Sequence, residues 1–415
     1  MIRVFTPYAY FEPEHFASTY LWRNIHESFA ANDIIAIVST PVPTRQVSEE
    51  VRKLYSSVRK IEKQYDGKLI IRRFNLLKEG TNPFIRAIRY LLACFKQYNI
   101  GVHSSYTKDC NVIFAASTPP IIGALCALIK KRRKIPFVYN LQDIFPDSLV
   151  GTGLAKKGGI LWKIGRVIEN FTYRNADKII VISEDFKRNI MAKGVPEEKI
   201  EVIYNWVDEN AIRPVQDDEN PLFEEFGIAR DKFRVVYAGN LGNAQNIELI
   251  VDAAARLKDV QFVIFGTGGL EDELKARKEK EGIDNLKILP LQPYERVSQV
   301  YSLGDVCIVA CKPGLGGAAM PSKTWSIMSA GSAVLANFDE GELKTIIENN
   351  GCGVFTKAGD LDGFVAAISS LAADPSKCEE MGRNGREFIL RNLTKEVGTR
   401  KYVDVIKRLG VRGER

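Results

Sequence analysis

A glycine-rich turn near residue 320 combines residue types that can bind a phosphate group. It follows a strand predicted over 305–310 and leads into a predicted helix of about three turns that ends at Gly331. Glycine lets a ligand approach the backbone closely, and the unpaired N–H groups of a helix start favour an anion. Lys323 adds a positive charge there, and we expect its amine to face solvent. The predicted diphosphate-binding residues of this turn are Gly316, Gly317, Pro321, Ser322 and Lys323.

Two further glycine turns follow predicted strands and can offer backbone amides to a phosphate or a sugar. The candidate ligand-binding residues in them are Gly239, Asn240, Asn243, Gly266 and Gly268. For all three turns the alternative is purely structural, because glycine turns are common between strands and helices. In the turn near residue 320, Ser322 can itself be the helix cap, which leaves Lys323 in solvent.

Side chains of the first half can act on the hydroxyl group of an acceptor substrate. Asp143 follows a strand predicted over 136–139, and a carboxylate there can accept or orient the proton of a hydroxyl. Asp147 is a second carboxylate of the same kind, and His15 on the first loop can contact a sugar or acceptor. The alternatives are a helix cap for each carboxylate and a solvated loop histidine for His15.

The elements that must position these residues alternate between strands and helices. The predicted strands are continuous apolar runs, such as residues 112–115 and 261–265, although residues 45–66 are polar and predicted to be helical. Apolar strands separated by helices indicate parallel sheets that are covered on both faces. The predicted fold class is therefore α/β, with two facing doubly wound Rossmann-like domains and a ligand cleft at the carboxyl ends of their strands.

A loss of periodicity marks the boundary between the two domains. Residues 207–220 lack a regular apolar pattern and are predicted to be a linker. We place the first domain at 1–206 and the second at 221–392. A last helix within 393–415 is expected to return to the first domain.

The composition argues against several classes of protein. A hydrophobic content of 45% and a charged content of 26% are typical of a soluble globular protein. No apolar run reaches the roughly 18 residues of a membrane span, and the chain enters a strand at once, so we expect no signal peptide. Seven cysteines without a C-x-x-C motif and three scattered histidines indicate reduced thiols in a cytosolic protein, without a disulfide framework or a metal site.

The charge is concentrated in the first half. Residues 1–200 contain 31 Lys and Arg and 18 Asp and Glu, a net charge of +13, whereas the remainder carries −6. An anionic surface or substrate is therefore expected to meet the first half. Residues 83–98 carry apolar and basic residues at helical spacing, and 130–134 is a run of five cations. Both are candidates for contact with anionic lipid; the alternatives are a helix packed on its own sheet and a solvated helix end.

The order of these motifs resembles the family 4 glycosyltransferases of the two-domain, twin-Rossmann GT-B type. The resemblance runs nearly from end to end. It is carried by ADKIIVIS (176–183), IYNWVD (203–208), YAGNL (237–241), FGTG (265–268) and the stretch 316–331. The segments YNLQDIFPD (139–147) and PSKT (321–324) are similar to the branch found in bacterial surface-polysaccharide clusters, which includes N-acetyl-L-fucosamine transferases.

The chain departs from the family pattern at positions where donor contacts are usual. Many members carry a Glu-x7-Glu pair whose second Glu holds the donor ribose. An Arg and a Lys usually follow the first strand of the second domain, and a His often precedes the Asp of the first domain. The corresponding positions here hold Ala318, Ser326, Asn240, Gln245 and Gln142.

The resemblance assigns the remaining donor contacts to other residues. Lys323 is left as the cation nearest the diphosphate, and Lys312 is a weaker candidate. Leu291 and Gln292 stand where the family's nucleobase meets backbone atoms, so their side chains do not reveal the base. Ser326, at the position of the second Glu, completes the predicted donor site.

The resemblance implies a retaining glycosyltransferase of the hexosyltransferase type. Its donor would be a nucleotide diphosphate-sugar bound by the second domain, with a UDP-sugar such as UDP-N-acetyl-L-fucosamine favoured. The first domain would bind a lipid-linked or oligosaccharide acceptor of O-antigen or capsule biosynthesis at the inner face of the cytoplasmic membrane. No cofactor, metal or nucleic acid is expected. The alternatives are a nucleotide-sugar 2-epimerase of the same architecture and a non-catalytic nucleotide-sugar-binding protein.

Overall fold

The chain folds into two compact units. A computed structural model describes residues 1–14, 19–45, 47–77, 83–151, 156–316 and 320–411. The first unit comprises Met1–Tyr204 and Gly398–Arg415, and the second comprises Asn205–Val397. Within the described ranges, no helix is both long enough and apolar enough to cross a membrane.

Eight strands form the sheet of the first unit. They are β1 (Arg3–Pro7), β2 (Ile35–Pro41), β3 (Ile61–Gln64), β4 (Leu69–Phe74), β5 (Val112–Ala116), β6 (Phe137–Leu141), β7 (Lys178–Val181) and β8 (Ile200–Val202). Their order is β3-β4-β2-β1-β5-β6-β7-β8, and all pairs are parallel except β3 with β4. All five residues of β5 are buried, as expected for a strand covered on both faces.

Helices connect these strands and cover both faces of the sheet. They are α1 (Thr19–Ala31), α2 (Glu49–Ser56), α3 (Pro83–His103), α4 (Ile121–Arg133), α5 (Asp147–Gly151), α6 (Ile160–Asn175) and α7 (Glu184–Ala192). Because parallel crossovers are right-handed, α1 lies on one face of the sheet, while α3, α4 and α6 lie on the other. Helix α4 packs against both α3 and α6.

Six parallel strands form the sheet of the second unit. They are β9 (Arg234–Asn240), β10 (Gln261–Thr267), β11 (Leu286–Leu289), β12 (Val306–Ala310), β13 (Ala333–Phe338) and β14 (Gly353–Lys357). Their order is β11-β10-β9-β12-β13-β14. The direction in which successive strands are added therefore reverses between β9 and β12.

Helices also cover the second sheet. They are α8 (Leu222–Glu225), α9 (Ile247–Arg256), α10 (Glu271–Glu281), α11 (Val297–Ser302), α12 (Lys323–Ser329), α13 (Glu342–Asn349), α14 (Leu361–Ala373) and α15 (Ser376–Asn392). The segment before α8 is held to this unit by side chains, since Arg386 and Ser329 both donate hydrogen bonds to the carbonyl of Ile212.

The last helix, α16 (Lys395–Gly410), joins the first unit through most of its length. Tyr402 packs edge-on against Phe114 of β5, with ring centres 6.0 Å apart. Its hydroxyl donates a hydrogen bond of 3.2 Å to Oδ1 of the buried Asn140 on β6. Helix α16 is thus fixed against β5 and β6.

The predicted fold class is confirmed, because both sheets are doubly wound and mostly parallel. The predicted helix over 45–66 is wrong in extent: α2 occupies only Glu49–Ser56, and β3 follows as an antiparallel edge strand. An exposed edge strand is short and polar, so its sequence carries little strand signal.

All seven cysteines are free thiols, and all but Cys94 are buried. Burial raises the pKa of the Cys94 and Cys311 thiols to about 11. Burial also raises the pKa of the Cys126 thiol well above its ordinary value. At neutral pH these groups are therefore in the protonated, unreactive form.

Candidate functional site

Three predicted turns of the second unit meet at the carboxyl edge of its sheet. Strands β9 and β10 end in register, with Gly239 opposite Gly266 and Asn240 opposite Thr267. Strand β12 pairs with β9 on its other side and leads into the loop that carries Gly316. This is where the strand order reverses, which is the usual ligand position in doubly wound sheets.

Lys323 lies against this edge, and the prediction that its amine faces solvent is wrong. Its Nζ is 3.0 Å from the hydroxyl oxygen of Tyr237 and 4.1 Å from the centre of that ring. Burial lowers the pKa of Lys323 to about 8, because a charged amine loses hydration there. The result is a half-buried amine that is still mostly charged at neutral pH and is turned toward the end of β9.

The Gly239 turn leaves room for that amine. Gly239 has φ of +144°, and a Cβ at this position would lie 2.9 Å from Nζ of Lys323. Tyr237 also donates a hydrogen bond of 2.8 Å to the carbonyl of Asn240, which fixes the turn. The positive φ favours glycine at this position, and a side chain here would also have to displace the flexible end of Lys323.

The helix start is a weaker anion site than the sequence predicts. Helix α12 has seven residues instead of three turns, with Ser322 at the cap position, where its side chain makes no capping hydrogen bond. The N–H of Thr324 donates to the carbonyl of Pro321, and that of Trp325 to Ser322. Two of the expected unpaired amides are therefore engaged, and the positive charge of this region is that of Lys323.

The amide of Gly316 is also occupied. The carboxylate of Asp339, just after β13, accepts hydrogen bonds of 3.0 Å from the Gly314 N–H and 2.7 Å from the Gly316 N–H. A Cβ at Gly316 would meet the ring of Phe338 at 2.6 Å. Packing and an internal carboxylate thus account for this glycine. Gly317 and Ala318 lie outside the described residues.

The two glycines of the β10 turn are explained by close backbone packing. A Cβ at Gly266 would lie 2.5 Å from the carbonyl oxygen of Gly239, and one at Gly268 would lie 2.5 Å from that of Leu241. The N–H of Leu241 donates to the carbonyl of Thr267. The β9 and β10 turns therefore support each other, and a side chain on either glycine would displace the turn beside Lys323.

A small cavity of about 100 Å³ lies next to the Gly239 turn. It is lined by Ala238, Gly239, Phe265, Leu291, Gln292, Val297, Val300 and Tyr301. Gln292 is held at its rim, since its Nε2 donates to the carbonyl of Pro290 and its Oε1 accepts from Arg296 at 2.9 Å. Arg296 is in turn paired with Glu225.

The remaining donor candidates lie around the same edge. Asn240 donates a hydrogen bond of 3.3 Å to Gln245, and Asn243 is exposed on the turn between them. Lys312 is paired with Glu248 at 3.0 Å, which occupies its charge. Ser326 is half-buried within α12. Of the two candidate lysines, Lys323 is the one that lies at the Gly239 turn, which lines the cavity.

Asp143 belongs to the first unit, two residues beyond the end of β6. Helix α5 begins at Asp147, so Asp143 is not its cap. Crowding by protein atoms raises the pKa of the Asp143 carboxyl, and a hydrogen bond from Ser148 opposes that rise. Asp147 is paired with Lys193 at 2.7 Å. Asp143 is thus a carboxylate at this strand end that protein atoms partly shield, while His15 lies outside the described residues.

Two tyrosines of this edge were not singled out from the sequence. Tyr237 bridges Lys323 and the Asn240 carbonyl, and Tyr301 lines the cavity. The available signal was a tyrosine inside an otherwise aliphatic strand, because its hydroxyl needs a polar partner when buried. In the described part of the chain, no three His, Cys, Asp or Glu side chains are grouped to hold a metal ion.

Two protein families match the chain, one in each half. Residues 23–211 match Glycosyltransferase Family 4, and residues 218–388 match Glycosyl transferases group 1.

The chain is also similar to individual proteins. The chain is 29% identical over 277 residues to WcaI of Escherichia coli strain K12, assigned as a colanic acid biosynthesis glycosyl transferase, covering 65% of this chain and 67% of that protein. It is 24% identical over 329 residues to WbjE of Pseudomonas aeruginosa, assigned as a glycosyltransferase, covering 77% and 80%. The fold is similar to that of Anabaena HepE bound to UDP, with a TM-score of 0.72, 17% identity and coverage of 99% and 100%.

Proposed function

Because the chain carries a Glycosyltransferase Family 4 domain followed by a Glycosyl transferases group 1 domain, we propose that it transfers a sugar from a UDP-sugar to an acceptor hydroxyl. One observation carries the proposal: the Lys323 amine lies at the Gly239 turn, and that turn lines the cavity beside Leu291. A nucleoside diphosphate needs a largely apolar recess for its base and a cation for its phosphates. The two features lie side by side in the second unit.

The size of the cavity limits what it holds. Its volume of about 100 Å³ is well below the roughly 300–1,000 Å³ of complete ligand sites. It therefore takes the base alone, against Leu291 and Gln292, and leaves the diphosphate toward Lys323. Asn240, Asn243 and Ser326 are then the polar side chains available to the donor's sugars. HepE, which is similar in fold, was crystallised with UDP and with UDP-glucose.

The proposed reaction needs no protein nucleophile. The bond between the anomeric carbon and the diphosphate oxygen breaks, and the acceptor oxygen bonds to the same face of that carbon, so configuration is retained. The hydroxyl proton passes to the departing diphosphate oxygen. Lys323 stabilises the negative charge that develops on the diphosphate, which is electrostatic catalysis. We assign Asp143 and His15 to orienting the acceptor hydroxyl.

The setting follows from the relatives and from the charge of the first half. WcaI is assigned to colanic acid biosynthesis, and the segment 139–147 resembles the surface-polysaccharide branch. We propose a lipid-linked or oligosaccharide acceptor of O-antigen or capsule synthesis, and UDP-N-acetyl-L-fucosamine as the donor to test first. The excess of Lys and Arg in residues 1–200 suits an anionic acceptor at the inner face of the cytoplasmic membrane.

Incubation with a panel of UDP- and GDP-sugars, with and without lipid-linked acceptors, tests the proposal. A transferase releases nucleotide in amounts that depend on the acceptor, and the product sugar keeps its anomeric configuration. A nucleotide-sugar 2-epimerase changes the sugar without net release, and a binding protein does neither. Either of those results would overturn the proposed reaction.

A matched pair of lysine variants ties the reaction to the site. Lys323→Ala is expected to lose transfer, whereas Lys344→Ala, a partly exposed lysine paired with Glu340, is expected to keep it. Equal loss in both would mean that Lys323 acts only through general charge. Equal retention would remove Lys323 from the proposed donor site.

A further inference from the structure

Helix α3 turns its apolar side outward. Five apolar residues at helical spacing are exposed: Ile85 by 45%, Ile88 by 53%, Leu91 by 59%, Leu92 by 40% and Phe95 by 68%. The side that packs on the sheet contains Arg89 and Gln97, each only 1% exposed. Gln97 donates hydrogen bonds to the carbonyls of Tyr8 and Ser39, and Arg89 donates to that of Leu77. The polar side is thus satisfied within the fold.

Helix α6 repeats this inversion. Its exposed apolar residues are Ile160 at 80%, Leu161 at 51%, Ile164 at 53% and Val167 at 69%. Its buried side includes Glu169, which accepts from Lys193 at 2.9 Å and pairs with Arg166. Two helices of one domain therefore both present an apolar ridge to solvent and a satisfied polar group to the interior, the reverse of ordinary helix packing.

The two ridges lie on the same side of the first sheet. Helix α4 packs between α3 and α6 and contributes Leu128, which is 48% exposed, and the exposed cations Lys131 and Arg132. We call the outer surface of α3, α4 and α6 the three-helix face. Exposed apolar groups spread over three adjacent helices exceed the single scattered residues of an ordinary protein surface.

The charge on the three-helix face is of one sign. Of the ten Lys and Arg residues in the sequences of the three helices, five are exposed in the described structure: Lys96, Lys131, Arg132, Lys163 and Arg174. The same sequences contain one acidic residue, Glu169, which is buried and paired. Lys163, between Ile160 and Ile164, is itself exposed. The surface thus combines protruding apolar side chains with cations and offers no carboxylate to a basic partner.

We propose that the three-helix face enters the head-group region of a bilayer containing anionic lipid. Apolar ridges reach the acyl boundary, while long Lys and Arg side chains extend to phosphate groups. An anionic bilayer matches both the apolar area and the charge. The proposal deepens the proposed function, on which it rests for the expectation of a lipid-linked acceptor, and it assigns the surface that holds the enzyme to that acceptor's membrane.

The sequence offered two candidates for lipid contact, residues 83–98 and the run 130–134; the proposal keeps the first, which lies in α3, adds α6, and restricts the second. Lys130 is engaged with Asp177 at 2.7 Å. Arg133 donates to the carbonyls of Gly101 and Thr107 and to two others, so it joins the α3–β5 connection to α4. These two cations stabilise the fold, so within the run only the exposed Lys131, Arg132 and Lys134 are available to contact lipid.

Co-sedimentation with vesicles tests the proposal. The probe is a vesicle of equal parts phosphatidylglycerol and phosphatidylcholine, compared with phosphatidylcholine alone, across a salt series. The unchanged protein is expected to bind the anionic vesicles and to keep part of this binding at about 1 M salt, where the screening length is about 3 Å. Replacing Leu91, Phe95, Ile164 and Val167 by Ser is expected to weaken binding at high salt at least about tenfold.

A control variant separates this surface from general apolar exposure. Leu54→Ser with Val58→Ser removes two apolar side chains of the same unit, exposed by 38% and 78%, and is expected to bind vesicles as the unchanged protein does. Circular dichroism and UDP binding check that each variant is folded. Unaltered binding by the four-residue variant, or no vesicle binding by the unchanged protein, would overturn the proposal.

The oligomeric state in solution distinguishes a bilayer from a second copy of the chain as the partner of this face. A dimer that the four Ser substitutions dissociate, in a protein that ignores vesicles, would mean that a second copy covers the face and would overturn the bilayer proposal. Failure of the proposed function is seen separately. If the protein binds vesicles through this face but transfers no sugar, the proposed transferase activity is wrong and the bilayer contact stands. If it transfers sugar without binding vesicles, the bilayer contact is wrong and the transferase activity stands.

Discussion

The amine of Lys323 lies 3.0 Å from the hydroxyl oxygen of Tyr237 and above the ring of that residue, 86 positions earlier in the chain. The same tyrosine hydroxyl donates a hydrogen bond to the carbonyl of Asn240, in the turn that contains Gly239, and so links the lysine to that turn. The state of one lysine is thereby coupled to the shape of the turn that borders the cavity.

Loss of the amine should weaken nucleotide binding without unfolding the protein. A charge-assisted hydrogen bond contributes roughly 1.5–3 kcal/mol, so Lys323→Ala is expected to weaken UDP binding about tenfold to a hundredfold. Calorimetric titration of UDP measures this, with Lys344→Ala as the matched control. Equal affinity of Lys323→Ala and the unchanged protein would contradict the assignment of Lys323 to the diphosphate.

The affinity for UDP should fall at alkaline pH. The pKa of Lys323 in the free protein is lowered by burial to about 8, and a bound diphosphate raises it. Below pH 8 the amine is already charged and affinity is constant. Above it, binding must take up a proton, so affinity falls by up to about tenfold per pH unit until the pKa of the complex is reached. The same slope in Lys323→Ala would show that another group is responsible.

The packed glycine turns allow a test with two neighbouring substitutions. A Cβ at Gly266 would lie 2.5 Å from the carbonyl of Gly239, whereas a Cβ at Gly269 meets nothing within 4 Å. Gly266→Ala is expected to lower the free energy of unfolding by about 1–3 kcal/mol and to weaken UDP binding, because it displaces the Gly239 turn. Gly269→Ala should change neither quantity. Denaturant unfolding and UDP titration of both variants measure the difference, and equal effects would rule out the packing explanation.

Asp143 should matter to transfer and not to donor binding. Asp143→Asn keeps the shape of the side chain but removes its charge, so the rate of transfer is expected to fall about a hundredfold or more while UDP affinity is unchanged. Asp109→Asn, an exposed carboxylate of the same unit, is the control. Normal turnover of Asp143→Asn would leave the carboxylate with a local structural role, as the acceptor of the Ser148 hydroxyl.

The fold could be predicted because its evidence is local, whereas much of the site depends on distant residues. Continuous apolar runs such as Val112–Ala116 identify buried parallel strands by themselves. The burial of Lys323 depends on Tyr237, which no short-range pattern connects to it. The length of α12 was overestimated, because the helix has seven residues instead of about three turns, and Ser322 takes the cap position, which the sequence had left open as the alternative.

Helix α3 shows a different limit. Its spacing correctly predicted a helix and an apolar stripe, but periodicity does not tell which side meets the sheet. That is decided by Arg89 and Gln97, whose partners are the carbonyls of Leu77, Tyr8 and Ser39 in other parts of the chain. The sequence therefore left two possibilities for residues 83–98, contact with lipid or packing on the sheet. It did not indicate the similar apolar ridge of α6.

The buried thiols give each domain its own built-in reporter of opening. Cys110 and Cys126 lie in the first unit, and Cys307 and Cys378 in the second. A thiol that is shielded in the native state becomes open to alkylation only when the surrounding structure opens, so the mass gained after a brief pulse of reagent records how often each domain unfolds. Digestion and mass spectrometry then assign the modified cysteine, and the stability of the first and the second unit can be followed separately in one sample.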